Sequence, residues 1–435
     1  MSHIGPDEVR RAIERRRDEI LDWTQALMRF PSENRPPNGN EGPAQEFIAA
    51  ECRKLGMEVD VFSPEEVPGI EDHPSWLTGR NYTNDRRNVV ARRRGTGGGR
   101  SLLFSGHVDV APFEPDDWKV CRPYEPLIRG GRLYGRGGAD MKGGMAAAYW
   151  ALRLLQERDW EPKGDVLFES LVDEEFASGN GTLAARLRGH NADFAVIMEP
   201  TRMDICRACF GAFLGNLTIR GAGGMPYTGS EIANPIRAAG RVIELFDEWQ
   251  EMWRRDNNHP MFAAPGKQLH TLLWRTETTE HGESAQMGTP LFVRLGWIQW
   301  CHPGMTEDEF YRRFRAYWQE HGASDPALRS FELNVGREYH YVKPWETPSD
   351  DPAVQAVVEA SRQYAGKALP VSGAPFSCDL AIYGEAGMPA VLFGPRCDNL
   401  HGSDEWVEIS DLLDLTGIYA TLALAWCGGG SGRSS

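Results

Sequence analysis

Four stretches of this sequence are apolar almost without interruption, and each stops at ionisable residues. Leu102-Leu103-Phe104 runs into Ser105-Gly106-His107-Val108-Asp109, and Asp165 to Val172 runs into Asp173-Glu174-Glu175. Phe194 to Met198 ends in Glu199-Pro200, and Pro389 to Phe393 leads by a short loop to His401. A strand with one wet face would alternate polar and apolar residues. Runs this continuous fit strands covered on both faces, as in a parallel sheet between helices. Helical patterns lie between them. Asp7 to Arg29 is stopped by Pro31, Pro43 to Leu55 sets Ala44, Phe47, Ile48 and Cys52 on one face, and Thr182 to Arg188 follows later. After Gly144, the residues Met145, Tyr149, Leu152 and Leu155 recur at helical spacing as a core face. Further strands are expected at Met57 to Phe62 and Asn88 to Ala91. Strand and helix in alternation predict an α/β fold with a mostly parallel sheet flanked by helices.

A chain of 435 residues exceeds one ordinary core, so two domains are expected. The texture changes between 212 and 340. A strand (Phe213 to Arg220) and a glycine-rich stretch (Gly221 to Gly229) precede a helix carrying Ile236, Ala239, Val242, Ile243, Leu245 and Phe246. Strands at Leu272 to Arg275 and Leu291 to Trp300, a helix at Glu307 to His321 and a strand at Ser330 to Val335 complete it. Residues 212–340 are therefore expected as an inserted α+β domain, with 1–211 and 341–435 forming the parallel-sheet domain.

A net charge of −15 argues against nucleic acid or an anionic membrane as the main partner. Arg92-Arg93-Arg94 before its glycine run suits a solvated hairpin end. The charged N-terminal segment has no apolar signal region, and no stretch is expected to approach membrane-span length. Eight scattered cysteines fit a reducing cytoplasm and no disulfide framework. Cys206 and Cys209 have the spacing of half a zinc knuckle, but no second pair accompanies them.

In α/β sheets functional groups gather beyond the carboxyl ends of the strands. His107, Glu174, Glu175, Glu199 and His401 all lie there. Asp140 joins them from the glycine-rich turn Gly135 to Gly144, which lacks the Lys-Ser/Thr of a phosphate loop. Carboxylates so clustered repel one another unless a cation sits among them. Nitrogen and oxygen donors without thiolate suit Zn, Mn or Co. The count suits two divalent ions: Asp140 bridging, His107 and Glu199 on one, Glu175 and His401 on the other. Glu174 is left free as a base, and Asp109 is expected to fix the tautomer of His107. That division suits hydrolysis by a metal-activated water.

The segments SGHVDV, GRGGADMKGG, VDEEFASGNG, MEPT and FGP…NLHGSDEWV, taken together, resemble the dinuclear-metal family of acetylornithine deacetylase, succinyl-diaminopimelate desuccinylase, aminoacylase-1 and glutamate carboxypeptidase G. The resemblance spans almost the whole chain and implies a zinc-exopeptidase-like fold. It puts the same roles on His107, Asp140, Glu175, Glu199, His401 and Glu174. It also implies a cis peptide after Asp140 and an inserted lid domain that mediates homodimerisation or a higher homo-oligomer.

The departures lie in the lid. Where the family usually carries a histidine after Gly-x-x-Ala, this chain has Met225, which cannot donate a hydrogen bond. Where the family often has Asp-x-Arg before a Pro-Gly turn, Ile298-Gln299-Trp300 precedes Pro303-Gly304. Two chemistries then compete. In the first, a small molecule's amide is cleaved (an N-acyl amino acid or small peptide) and Tyr227, His270 or His302 supplies the missing donor. In the second, an activated aryl amine is deaminated, as in the nitroanthranilate aminohydrolase branch. A binding protein that kept the fold and lost catalysis is a third reading; the intact set, Glu174 above all, argues against it.

Overall fold

The structure is a computed structural model that describes residues 4–83, 85–113, 117–176, 179–222, 232–278, 288–338 and 341–431. The chain divides into two compact units. One comprises Met1–Ala208, Glu346–Ala374 and Cys378–Ser435; the other comprises Cys209–Trp345 with Pro375–Ser377. The expected boundaries at 211 and 340 compare with 208 and 345, and the return of Pro375–Ser377 to the second unit was not anticipated.

The first unit is built on a mixed sheet. Its strands run in the order Ala390–Leu392, Ala195–Ile197, Leu102–His107, Val166–Leu171, Asn88–Arg93, Glu58–Phe62. The first four are mutually parallel, and the last two are antiparallel additions at one edge. Leu102–His107 and Val166–Leu171 are buried at every position. Helices cover them, which is why the apolar runs show no alternation. The helix Gly143–Gln156 is buried over all but its last turn. Its Gly144 is obligatory, because a Cβ there would stand 2.2 Å from the Met198 carbonyl oxygen. Gly394 is forced in the same way by the Glu199 carbonyl, 2.1 Å from its would-be Cβ.

The helix Ile409–Cys427 corrects one expectation: it is long and apolar enough to cross a membrane by composition. It is nonetheless a core helix, packed against Gly143–Gln156 and Pro352–Ala365.

A second, small sheet in this unit orders Cys397–Asp398, Trp406–Glu408, Arg132–Tyr134 and Leu127–Arg129. Trp406 pairs with Tyr134 and Val407 with Leu133, over an apolar cluster that includes Met28, Ala139, Cys397 and Leu412. This pairing brings the turn after Tyr134 beside the loop between Asp398 and Trp406, two segments far apart in sequence.

The second unit is an antiparallel sheet ordered Thr271–Glu277, Phe292–Cys301, Ile205–Arg220, Glu332–Arg337, with Ile205–Arg220 entering the unit at Cys209. The helices Pro235–Asp256 and Glu307–Ser324 belong to it. Its core is aromatic: Trp249, Trp253, Trp297, Phe310, Phe314 and Trp318 are all buried. Most of the lid tryptophans are thus packing residues.

Candidate metal centre

Six side chains meet at the carboxyl ends of the parallel strands. His107 is the last residue of its strand, and its Nε2 lies 3.1 Å from Asp140 Oδ1, 3.5 Å from Glu199 Oε1 and 3.8 Å from Glu174 Oε2. The other oxygen of Asp140, Oδ2, is 3.2 Å from His401 Nε2, which is itself 3.0 Å from Glu175 Oε2. Two groups able to hold a metal ion therefore stand side by side: His107, Glu174 and Glu199, and Asp140, Glu175 and His401. Asp140 turns one oxygen to each. The expected cis peptide is present between Asp140 and Met141.

The groups perturb one another strongly. The Glu175 charge, with hydrogen bonds to Asp140 and Glu175, pushes the His401 imidazole up to about 12. Burial pulls His107 down, yet its carboxylate neighbours hold it well above the ordinary imidazole range. Burial raises Glu174 well above the carboxylate range, against the pull of His107 and with help from Asp379. Burial and then Asp140 raise Glu199 to about 7. Burial opposes ionisation of Asp140, but hydrogen bonds from His107 and His401 hold its carboxyl low. With Asp109, five carboxyls crowd two imidazoles, and the raising of Glu174 and Glu199 reflects a surplus of acidic groups that divalent ions would offset.

Asp109 differs in detail from expectation. His107 Nδ1 lies 2.9 Å from the main-chain carbonyl of Asp109, and the carboxylate is farther away at 3.6 Å. The carbonyl therefore fixes the tautomer. The carboxylate is occupied otherwise: it accepts from the amides of Glu174 (3.3 Å) and Glu175 (3.0 Å) and from Asn34 Nδ2 (2.9 Å). Glu175 Oε1 accepts from the Ala111 amide at 3.0 Å.

The sequence reading missed a clamp around Asp140. Glu405 Oε1 accepts from the amides of Ala139 (2.9 Å) and Asp140 (3.3 Å), while Oε2 takes Arg136 Nη1 at 2.6 Å. Arg136 Nη2 also donates to the His401 carbonyl at 3.0 Å. Both residues are almost wholly buried. Each lies close in sequence to a residue of the centre, Arg136 four residues before Asp140 and Glu405 four after His401. For Arg136 the available signal was a charged residue within a buried, glycine-rich stretch; Glu405, in a polar loop, left none.

A family profile, peptidase family M20/M25/M40, matches residues 103–425. The chain belongs to peptidase family M20/M25/M40. Among curated members, it is 26% identical over 467 residues to N-formyl-4-amino-5-aminomethyl-2-methylpyrimidine deformylase of Halalkalibacterium halodurans, covering 97% of each chain. It is 30% identical over 328 residues to succinyl-diaminopimelate desuccinylase of Nitrosomonas europaea, covering 73% of this chain and 81% of that one. The fold matches that of the dipeptidase Dug1p from Saccharomyces cerevisiae with a TM-score of 0.74, covering 97% and 98% of the two chains at 14% identity. This M20 chain is accordingly a metal-dependent hydrolase of amide bonds.

The lid residues can be followed only in part. Met225 and Tyr227 lie outside the described residues. His302 is not a surface donor: it is buried against Phe210, Phe262 and His259, and burial pushes its imidazole down to about 4. His270 stacks on Trp300 with ring centres 4.0 Å apart. Gln299 points inward, donating to the carbonyls of His270 and Trp300 and accepting from Trp249 and Thr271.

Proposed function

We propose that His107 and Glu199 hold one divalent ion, Glu175 and His401 hold a second, Asp140 bridges them, and Glu174 is the general base and acid. The observation that carries this is Asp140, whose two oxygens face two different imidazoles at 3.1 and 3.2 Å. Ligands about 2.0–2.2 Å from one metal lie roughly 3–3.6 Å from each other. The His107–Asp140, His107–Glu199, His401–Asp140 and His401–Glu175 separations of 3.1, 3.5, 3.2 and 3.0 Å fit that spacing. Zn, Mn or Co suits the donor set. Bound there, the pair supplies a water of lowered pKa and an electrophile for the scissile carbonyl.

The protein's own part is proton management and aim. Glu174 reaches the same space as His107 Nε2 and, ionised once divalent ions offset the carboxylates around it, accepts the proton of the attacking water. It then returns that proton to the departing amine nitrogen. Asp109 takes part through the amides of Glu174 and Glu175 and through its own carbonyl on His107.

For the substrate we propose the N-acyl amide of a small molecule. The two curated relatives named above are, by their names, a deformylase of an N-formyl compound and a desuccinylase of a succinyl compound. The exposed Phe176 and Leu400, each next to a ligand residue, offer apolar surface for the amine portion. A reducing cytoplasm suits eight cysteines held outside any disulfide. A homodimer through the second unit is supported by its edge strand, where Leu272 and Trp274 are exposed, and by Ile236 and Ile243 on the helix Pro235–Asp256.

The test is Glu174→Gln in metal-loaded protein assayed with N-formyl, N-succinyl and N-acyl-amino-acid substrates, dipeptides and aminobenzoates. Amine release from an N-acyl substrate is expected from the wild type, with kcat at least ~100-fold lower in the variant and metal content unchanged. Full activity of the variant would remove the base assignment. Ammonia release from aminobenzoates alone would replace amide hydrolysis by deamination of an aryl amine.

A further inference from the structure

The turn Asp173-Glu174-Glu175 is anchored at every residue, and the anchors converge on Asn34. This side chain is fully buried. Its Nδ2 lies 2.9 Å from Asp109 Oδ2, 3.0 Å from Asp173 Oδ1 and 3.2 Å from the Glu175 carbonyl. Its Oδ1 faces Arg86 Nη2 at 3.4 Å. Turning the amide over would set its NH2 against a guanidinium and its oxygen against three acceptors, so its orientation is fixed.

Arg86 is also fully buried. It binds Glu41 through Nε (3.0 and 2.9 Å) and Nη2 (2.8 Å), and Asp173 Oδ1 through Nη2 at 3.1 Å. Its Nη1 donates to the carbonyls of Pro37 (3.3 Å) and Asn81 (3.1 Å). Tyr82 gives its hydroxyl to Asp173 Oδ2 at 2.6 Å. Asp173 itself has a φ of 62°, a left-handed backbone that a residue with a side chain keeps only where its surroundings impose it.

A connecting loop has no use for this arrangement, since burying Glu41, Arg86, Asp109 and Asp173 together costs desolvation that apolar packing would avoid. What the network does is aim two consecutive residues at the centre. We propose that Asn34, oriented by Arg86, is a positioning residue that sets the reach of Glu174 and the ligand geometry of Glu175. The inference rests on the assignment of those two roles. A displacement of about 1 Å at a reacting group can cost on the order of a hundredfold in rate, so the precision of this turn is expected to appear in kcat.

The experiment compares wild type with Asn34→Ala, Asn34→Asp and the milder Tyr82→Phe, all loaded with Co(II). Metal content, the visible Co(II) spectrum, thermal melting, and kcat and KM on the best N-acyl substrate are measured. The expected result for the Asn34 variants is folded protein with two metals per chain, a shifted Co(II) spectrum, kcat about 30- to 100-fold lower and KM within about threefold. Tyr82→Phe, which keeps its ring, is expected to lower kcat about three- to tenfold by the same loosening. Two results overturn the inference: kcat within about threefold of wild type in every folded variant, or losses that only match the fraction of protein unfolded or metal-free. If the wild type turns over none of the substrates, the amide reading fails on its own. The Co(II) spectrum then decides for Asn34, a superimposable spectrum overturning it and a shifted one supporting it.

Discussion

Asp140 has one oxygen for each imidazole, so replacing a single oxygen should separate the two half-sites. Asp140→Asn keeps the shape and loses the bridging charge; it is expected to bind about one ion per chain instead of two, measured by elemental analysis after gel filtration. Protons report on the same residues. His107 and His401 are both held above the ordinary imidazole range by the carboxylates around them. In the metal-free protein both are therefore protonated at neutral pH, and metal must displace those protons to reach Nε2. Loading at pH 7 is expected to release about one proton per imidazole and a further fraction from Glu199, which stands at about 7, and apparent affinity to fall as pH drops. Calorimetric titration in buffers of different ionisation enthalpy measures this; a buffer-independent heat would contradict it. The residues proposed as ligands stood out because each follows an apolar run or a glycine turn. Asn34 and Arg86 were not, since they are buried polar residues in polar stretches, and sequence offers no contrast between such a residue and a solvated one.

At the level of elements, the parallel strands were readable because burial on both faces removes polar residues from the run. Predicted strands such as Leu102 to Phe104 and Pro389 to Phe393 stand within a few residues of the observed ones. The strands Leu127–Arg129 and Arg132–Tyr134 left no such trace. The first is exposed throughout, and the second is three residues long with one buried position. Yet this hairpin carries Tyr134 to the partner strand that flanks His401. The clamp of Arg136 and Glu405 ties the same two segments together. Removing one partner of a buried ion pair leaves the other charge uncompensated, at about 3–5 kcal/mol. Arg136→Met should destabilise the protein by that order in urea unfolding, and Arg136→Met with Glu405→Gln should recover part of the loss. Equal loss in the single and double variants would mean that the pair itself is not what the fold depends on.

For the whole molecule, the insertion was visible as a change of texture, from alternating strand and helix to a tryptophan-rich α+β stretch. The return of Pro375–Ser377 to the second unit was not, because three residues carry no pattern. The proposed dimer is tested at this scale. Trp274→Glu on the exposed edge strand should turn a dimer into a monomer by light scattering; a monomeric wild type, or a dimer that survives the change, would contradict it.

The two half-sites also differ in their access to water. The His107 and Glu199 side chains are 2% and 6% exposed, whereas that of His401 is 55% exposed. Glu175, beside His401, is only 5% exposed, so the second half-site opens to water through its imidazole alone; on the proposed assignment an ion there is expected to exchange faster than one at His107 and Glu199. A purified sample would then carry two histories, one ion retained from the cell that made it and one chosen by the last buffer it met.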